Sequence, residues 1–259
     1  MTNEDALKKY DVKKYRTPDG YTSDIAIFTI MTKEAESYKK PVMELKLMLI
    51  KRAATNAEGH PNIEGDKWAL PGGFVQANET ALQAAKRELQ EETGVQGVHV
   101  KHFGVYDRPG RDPRGWIITN AHYAIVPERH LMHRQANDDA SEVELFTLEE
   151  INHLALAFDH EDIIKHAVQA ITADLLQTTA AKNFLPPTFT YSELQAVLRT
   201  VTNDPVITSD PAFSRKIKSL PFIEKLDGQT TTRTSKQPTQ LFRFVEMEDI
   251  IKPIYSVKY

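Results

Sequence analysis

Residues 72–95 read GGFVQANETALQAAKRELQEETGV, and the interpretation of the whole chain starts from this stretch. Its apolar residues recur at helical spacing and predict a helix over 79–93. Glu88, Glu91 and Glu92 lie at positions i, i+3 and i+4, so the helix brings three carboxylates to one face. Like charges at this spacing destabilise a bare helix by roughly 0.2–0.5 kcal/mol per pair. Mg²⁺, a hard cation that selects oxygen ligands, would offset the repulsion, so the stretch predicts a metal site.

The same stretch fits a longer pattern, Gly-x5-Glu-x7-Arg-Glu-apolar-x-Glu-Glu-x-Gly-apolar, at every position. The matching residues are Gly73, Glu79, Arg87, Glu88, Leu89, Glu91, Glu92, Gly94 and Val95. A chance match at a given start is on the order of 10⁻¹⁰ from typical residue usage. This pattern is the Nudix box, and the chain resembles Nudix hydrolases over about residues 20–180. The resemblance implies an α/β/α sandwich with a mixed sheet, and metal-assisted hydrolysis of a nucleoside diphosphate linked to another group.

The resemblance also implies a role for each residue of the box. The expected metal ligands are the carboxylates of Glu88, Glu91 and Glu92 and the carbonyl of Gly72. They would hold Mg²⁺, or Mn²⁺ in its place, directly or through water. Arg87 would orient the glutamates, and Glu79 would brace either the loop before the helix or a metal-bound water. Gly73 lets the backbone of that loop turn tightly.

The general base that activates the attacking water is left open. Nudix enzymes draw it either from the box or from a later loop glutamate. The loop candidate is Glu142, which follows Asp138 and Asp139 just before a predicted strand. The expected catalytic residues are therefore Glu88, Glu92, Arg87 and Glu142.

The substrate is indicated by residues 106–115, which read YDRPGRDPRG. Arg108, Arg111 and Arg114 suit bidentate contacts with phosphate. The run resembles the stretch after the box in ADP-ribose pyrophosphatases, which often have a proline about 15 residues downstream. Pro109 stands 15 residues after Gly94.

This second resemblance favours ADP-ribose, hydrolysed to AMP and ribose 5-phosphate, as the substrate. Oxidised nucleoside triphosphates, diadenosine polyphosphates and CoA are the alternatives. Tyr21, Phe28 and Trp116 are candidates for contacts with the adenine. His160 and His166, at the start of a predicted helix, are expected to be ordinary surface or packing residues.

Composition excludes several classes of protein. The chain has 259 residues, a net charge of −4 and no cysteine, which rules out disulfides, thiolate metal sites and cysteine nucleophiles. No run of 18 apolar residues is present, so no membrane span is expected. The N-terminus lacks the apolar core of a secretory signal, and a cytoplasmic location is expected.

Periodicity and turn residues predict a strand-rich first domain over 1–183 and a second domain over 184–259, divided near Pro186 and Pro187. The predicted strands are 25–31, 42–50, 98–106, 116–126, 143–147, 222–226 and 240–245. The predicted helices are 79–93, 159–179 with Asp159 as its N-cap, 190–201 with a Thr190–Glu193 capping box, and 211–219.

The order of helices and strands in the second domain suggests a small winged helix. Its segments FTYSELQAVLRTV, AFSRKIKSL and QPTQLFRF resemble the C-terminal domain of Nudix-related transcriptional regulators of NAD metabolism. The expected DNA contacts are Arg215, Lys216 and Lys218 on the second or recognition helix, and Lys236, with Arg233 and Arg243, in or beside the wing. Ala212, Ser214 and the sequence Lys236-Gln237-Pro238 depart from the residues usual in that domain.

Two functions follow from these resemblances. The first is an Mg²⁺-dependent ADP-ribose pyrophosphatase with an accessory winged helix. The second is a transcriptional regulator that binds double-stranded DNA and senses ADP-ribose or a related nucleotide. The intact box favours catalysis, since regulators of that group often lose box glutamates. A homodimer is expected from the family resemblance, and two winged helices would then match a palindromic site.

Overall fold

The structure, a computed structural model, describes residues 2–14, 16–34, 38–55, 58–131 and 140–246. The strands of the first part are β1 (Gly20–Glu34), β2 (Val42–Arg52), β3 (Trp68–Ala69), β4 (Gly72–Phe74), β5 (His99–Tyr106), β6 (Ile117–Ile125) and β7 (Ala140–Thr147). Its helices are α1 (Asn3–Lys8), α2 (Ala81–Thr93), α3 (Leu148–Ile151) and α4 (His160–Gln177). The short elements α1, β3, β4 and α3 have too few residues to show a periodicity and were not predicted.

The seven strands form one mixed sheet with β1 near its centre. The order is β3-β2-β1-β6-β5, and β4 pairs with β1 while β7 pairs with β2. β1 runs parallel to β6 and antiparallel to β2 and β4. The predicted mixed sheet is confirmed.

The two faces of the sheet carry different helices because alternate residues of β1 point to opposite sides. Ile25 and Ile27 pack in one cluster with Leu89 of α2. Ala26 and Phe28 belong to the opposite cluster, which includes α4. The predicted α/β/α sandwich is therefore confirmed.

The C-terminal part has the predicted winged-helix fold. It contains α5 (Tyr191–Arg199), α6 (Pro205–Thr208), α7 (Asp210–Ile217), β8 (Ile223–Thr231) and β9 (Thr239–Phe244), and β8 and β9 form an antiparallel hairpin. The capping box of Thr190 and Glu193 is confirmed. The unpredicted α6 makes α7 the third helix of this part rather than the second.

The two parts share a continuous apolar core. One cluster of buried side chains includes Phe28 and Leu47 of the sheet as well as Leu194 of α5 and Phe213 of α7. α5 packs against β2. The division at residue 184 stays a prediction, and residues 247–259 of the predicted second domain lie outside the described residues. In the ranges described, no helix is long and apolar enough to cross a bilayer.

His122 of β6 is a titratable group enclosed by this fold. Its side chain is 2 % exposed, and its Nδ1 lies 3.2 Å from Oγ of Ser23. Burial, together with the charge of neighbouring His102, lowers the pKa of His122 from 6.5 to about 4. The unfolded chain therefore binds a proton on this residue at a pH where the folded chain does not.

We expect His122 to make the protein less stable as the pH falls from 6.5 towards 4. Between pH 7.5 and pH 5.0 its contribution to the free energy of unfolding decreases by about 2 kcal/mol. His122→Gln should remove that part of the pH dependence in urea denaturation, whereas the exposed His153→Gln should retain it. Equal pH dependence in both variants would contradict this assignment.

Candidate functional site

The carboxylate helix α2 starts and ends at residues suited to those positions. Oγ1 of Thr80 accepts the N–H of Gln83, and Oε1 of Gln83 accepts the N–H of Thr80 at 2.7 Å. This capping box places the first helical residue at Ala81, two residues later than predicted. Gly94 ends the helix with a φ of 69°, a conformation that costs glycine little.

Packing of α2 on the sheet decides where its three carboxylates point. Ala85 and Leu89 are buried against the sheet. Glu88 and Glu92 are only 9 % exposed, whereas the side chain of Glu91 is half exposed. The three therefore share one surface but differ in burial.

Arg87 connects these carboxylates to the loop before the helix. Its guanidinium donates to Glu88 at 2.6 Å, to Glu91 at 3.1 Å and to Glu79 at 2.8 Å. It also donates to the carbonyl of Phe74 at 3.2 Å. The structure thus brings together the arginine and the glutamates that the sequence singled out.

The electrostatics of this group follow from burial and from the guanidinium. Burial raises the pKa of Glu88, while Arg87 acts in the opposite direction. The hydrogen bond to Glu79 is the largest of the effects that raise the pKa of Arg87. The same hydrogen bond lowers the pKa of Glu79.

Gly72 and Gly73 are required here for close approach. A Cβ on Gly73 would overlap Oε1 of Glu88, and one on Gly72 would lie 2.5 Å from Oδ1 of Asp24. Only glycine lets β4 pass between these carboxylates.

A cavity of about 500 Å³ opens between β4, α2 and the start of α4. The carboxylates of Asp24, Glu88, Glu91 and Glu92 line it together with three arginines, Arg52, Arg111 and Arg114. Acidic and basic groups therefore line one space of the size of a small-molecule site.

Two of the three arginines predicted to bind substrate reach this cavity. Arg111 is 6 % exposed and donates two hydrogen bonds, of 2.9 and 2.7 Å, to Asp159. Arg114 donates to Asp112 at 2.6 Å. Arg108 is exposed and lines a separate, smaller depression, and the exposed Pro109 does not line the cavity.

Asp159 differs from its expected role as a helix cap. It occupies the N-cap position of α4, but its side chain makes no capping hydrogen bond. Both of its oxygens instead accept from Arg111.

Glu142 does not reach the cavity. It lies in strand β7 rather than in the predicted loop, is exposed, and accepts a hydrogen bond from Nζ of Lys51 at 2.9 Å. Register with β2 places it directly opposite Lys51. Asp138 and Asp139 lie outside the described residues.

The aromatic residues at the cavity are not those proposed for adenine. Phe28 is fully buried in the core, and neither Tyr21 nor Trp116 lines the cavity. Phe74 and Phe158 do line it. Their positions depend on β4 pairing and on the start of α4, which periodicity does not reveal.

His160 and Asp24 are buried cavity residues that sequence reasoning missed. Nδ1 of His160 accepts the N–H of Leu70 at 2.9 Å, so Nε2 carries the proton of the neutral ring. Nε2 lies 3.9 Å from Oδ2 of Asp24, and burial lowers the pKa of His160. His160 is therefore a buried packing residue, as expected, and it also lines the cavity.

The chemistry of the donor set fits a divalent cation. Glu88, Glu91 and Glu92 offer only oxygen atoms as ligands. Mg²⁺ and Mn²⁺ prefer oxygen, whereas softer metals prefer nitrogen or sulfur. Within the described residues no three acidic or histidine side chains form a ready-made metal cluster. Arg87 holds two of the three box carboxylates in this arrangement.

The expected DNA-binding residues lie at the surface of the winged helix. Phe213 and Ile217 anchor α7 in the core, which leaves Arg215 and Lys218 exposed and Lys216 half-buried. Lys236 is exposed in the loop between β8 and β9.

Two other basic residues of the wing are engaged within the module. Arg233 donates to both oxygens of Glu193 at 2.7 Å and to the carbonyl of Thr188. Arg243 pairs with Glu224 across the hairpin at 2.7 Å. Arg233 thus fixes the wing to the start of α5.

Comparison with known proteins identifies both parts. A family model described as "NUDIX domain" matches residues 39–167. A second, described as "NrtR DNA-binding winged helix domain", matches residues 181–244.

Two characterised relatives differ in what their names say they do. The ADP-ribose pyrophosphatase of Methanocaldococcus jannaschii is 39% identical over 160 residues, which are 61% of this chain and 80% of that protein. The ADPR responsive transcriptional repressor NtrR of Acinetobacter baylyi is 28% identical over 240 residues, 92% of this chain and 86% of that protein. The crystal structure of Shewanella oneidensis NrtR complexed with a 27mer DNA is similar with a TM-score of 0.68 and 25% identity, covering 87% of this chain and 93% of that one.

The two arginine pairs of the wing give a stability prediction. Arg233→Ala should lower the free energy of unfolding by about 1–2 kcal/mol, because it leaves the largely buried Glu193 without its bidentate partner. Arg243→Ala, the matched control, removes an exposed pair and should cost less than about 0.5 kcal/mol. Chemical denaturation of both variants checks this, and equal losses would contradict it.

Proposed function

The chain belongs to the Nudix family and has an NrtR-type winged-helix domain, and from this premise we propose that it hydrolyses ADP-ribose to AMP and ribose 5-phosphate. The observation that carries the proposal is the intact box on α2, which presents Glu88, Glu91 and Glu92 to a cavity that arginines also line. The homology to an ADP-ribose pyrophosphatase supports this choice of substrate.

Each group of the cavity has a task in this reaction. Arg52 and Arg114 would bind the diphosphate, because guanidinium groups match phosphate oxygens. Glu88, Glu91, Glu92 and the carbonyl of Gly72 would hold Mg²⁺. When bound, the cation supplies charge neutralisation for the diphosphate and activates the attacking water.

Arg87 and Glu79 support the metal-binding carboxylates, and Glu92 is the proposed general base. Arg87 holds Glu88 of α2 close to the loop before the helix, and Glu79 accepts a hydrogen bond that fixes the arginine. The buried Glu92 takes the role of general base in preference to Glu142, which pairs with Lys51 away from the cavity.

Incubation of the protein with ADP-ribose and Mg²⁺, with AMP release followed by chromatography, tests the enzyme. Glu92→Gln should lower the rate by about 100-fold or more, because it removes a carboxylate from the reacting centre. Glu149→Gln, which changes an exposed glutamate of α3, should leave the rate unchanged. Binding of ADP-ribose without AMP release would reject hydrolysis and favour a sensor.

The second function is DNA binding controlled by ADP-ribose. Its specific support is the exposed basic face of α7, together with homology to the ADPR responsive repressor over nearly the whole chain. Arg215, Lys216 and Lys218 would contact the major groove or its phosphates, and Lys236 the adjacent backbone. A homodimer would present two such helices to the two halves of one site. The dimer and the cytoplasmic location stay predictions.

DNA binding is tested with a fluorescent duplex of arbitrary sequence, since phosphate contacts need no operator. We expect the slope of log Kd against log salt to decrease by about 1 for Arg215→Ala. Lys165→Ala, which removes an exposed lysine of α4, should leave the slope unchanged. Identical slopes in the wild type and Arg215→Ala would exclude α7 from the interface.

A further inference from the structure

Phe158 lines the cavity and has a backbone conformation that is rare for a bulky residue. Its φ is 53°, in the left-handed region that favours glycine. Its ring lines the cavity just before the start of α4. A phenylalanine kept in this conformation points to a task for the ring that glycine could not perform.

The ring of Phe158 contacts two guanidinium groups. Cζ of Arg52 is 5.2 Å from the ring centroid, and Cζ of Arg114 is also 5.2 Å from it. Arg114 lies in turn 5.3 Å from the ring of Phe74. We call the alternating series Phe74, Arg114, Phe158 and Arg52 the arginine–aromatic stack. All four residues line the cavity.

Stacking constrains the two arginines in a way that suits phosphate binding. The electron-rich face of a ring attracts a guanidinium, and the planar group is then held by its face. Its N–H groups point outward from its edge, where a phosphate oxygen can accept them. The attraction of each guanidinium to the ring also favours keeping two like charges near each other.

Other contacts fix the positions of the same arginines. Nε of Arg52 donates to the carbonyl of Ile63 at 3.0 Å. Arg114 donates to Asp112 through Nε and Nη2, at 2.6–3.1 Å. The two arginines come from distant parts of the chain, and the Phe158 ring is a surface that they share.

The residues after Phe158 organise the same wall of the cavity. Asp159 holds Arg111 with two hydrogen bonds, and His160 accepts the N–H of Leu70 from the segment that leads to the box. The turn before α4 therefore contacts three arginines and the approach to the carboxylate helix.

We propose that Phe158 is a positioning residue, which orients the guanidinium groups of Arg52 and Arg114 towards the diphosphate of the ligand. The proposal rests on the proposed function, since it assigns a diphosphate to this cavity. It gives the turn before α4 a role in affinity that acts through Arg52 and Arg114.

Calorimetric titration in EDTA tests this without turnover and without the contribution of a cation. The probes are ADP-ribose and inorganic pyrophosphate. Phe158→Leu should weaken both roughly tenfold, the equivalent of about one charge-assisted hydrogen bond. Phe158→Tyr keeps the ring and should stay within about threefold of the wild type. Phe146→Leu, which alters an aromatic residue of β7 outside the cavity, is the matched control and should have no effect.

A double-mutant cycle separates positioning from a merely structural role. In the background of Arg52→Ala with Arg114→Ala, Phe158→Leu should produce no further loss of affinity, because the groups that it orients are absent. Thermal unfolding of each variant identifies any that fail to fold. Should Phe158→Leu not fold, Phe158→Met takes its place in the same cycle.

The outcomes distinguish this proposal from the proposed function. AMP release by the wild type with unchanged affinity in Phe158→Leu would overturn the positioning role alone. A tenfold loss of affinity without AMP release in the presence of Mg²⁺ would reject hydrolysis and support the positioning role. A further loss in the double-arginine background, or a wild type that binds neither probe, would overturn the positioning role.

Discussion

The contacts of Arg87 are the interaction on which the site depends. Three carboxylates on one face of α2 repel one another, and Glu88 is buried as well, so an unpaired charge there would be costly. Arg87 donates to Glu88, Glu91 and Glu79 and to the carbonyl of Phe74. The same guanidinium thus offsets the repulsion within the helix and fixes the helix to β4 and the loop that precede it. The glycine pair of β4 allows the carboxylates to approach that closely.

Two arginines of the cavity are likewise held by hydrogen bonds to side chains of opposite charge. Arg111 is paired with Asp159 and Arg114 with Asp112, each through two or more hydrogen bonds. These pairs hold Arg111 and Arg114 in place before any ligand binds. This preorganisation reduces the cost of ordering long side chains when a diphosphate binds.

Site residues whose contacts lie within one short segment could be predicted from the sequence. Residues that meet only when distant segments fold together could not. The box could be predicted because its glutamates, its arginine and its terminal glycine act within a few helical turns. The capping box of α5 and the apolar faces of the long helices are local in the same way. Asp24, Phe158 and His160 could not be predicted, because β1, β4 and the start of α4 meet only in the folded sheet. Glu142 was misplaced because an acidic run resembles a loop, whereas pairing with Lys51 of β2 extends β7 through it.

Strand β2 connects the winged helix to the cavity, and thereby the two proposed functions. α5 lies against β2, and Lys40, in the connection before β2, pairs with Asp210 at the start of α7. β2 ends at Arg52, whose side chain lines the cavity. The strand that supports the winged helix therefore also carries a residue of the cavity. A ligand can shift DNA affinity only if it binds two arrangements of the protein unequally. β2 is an element on which such a difference can act, because the position of Arg52 and the seating of α5 both depend on it.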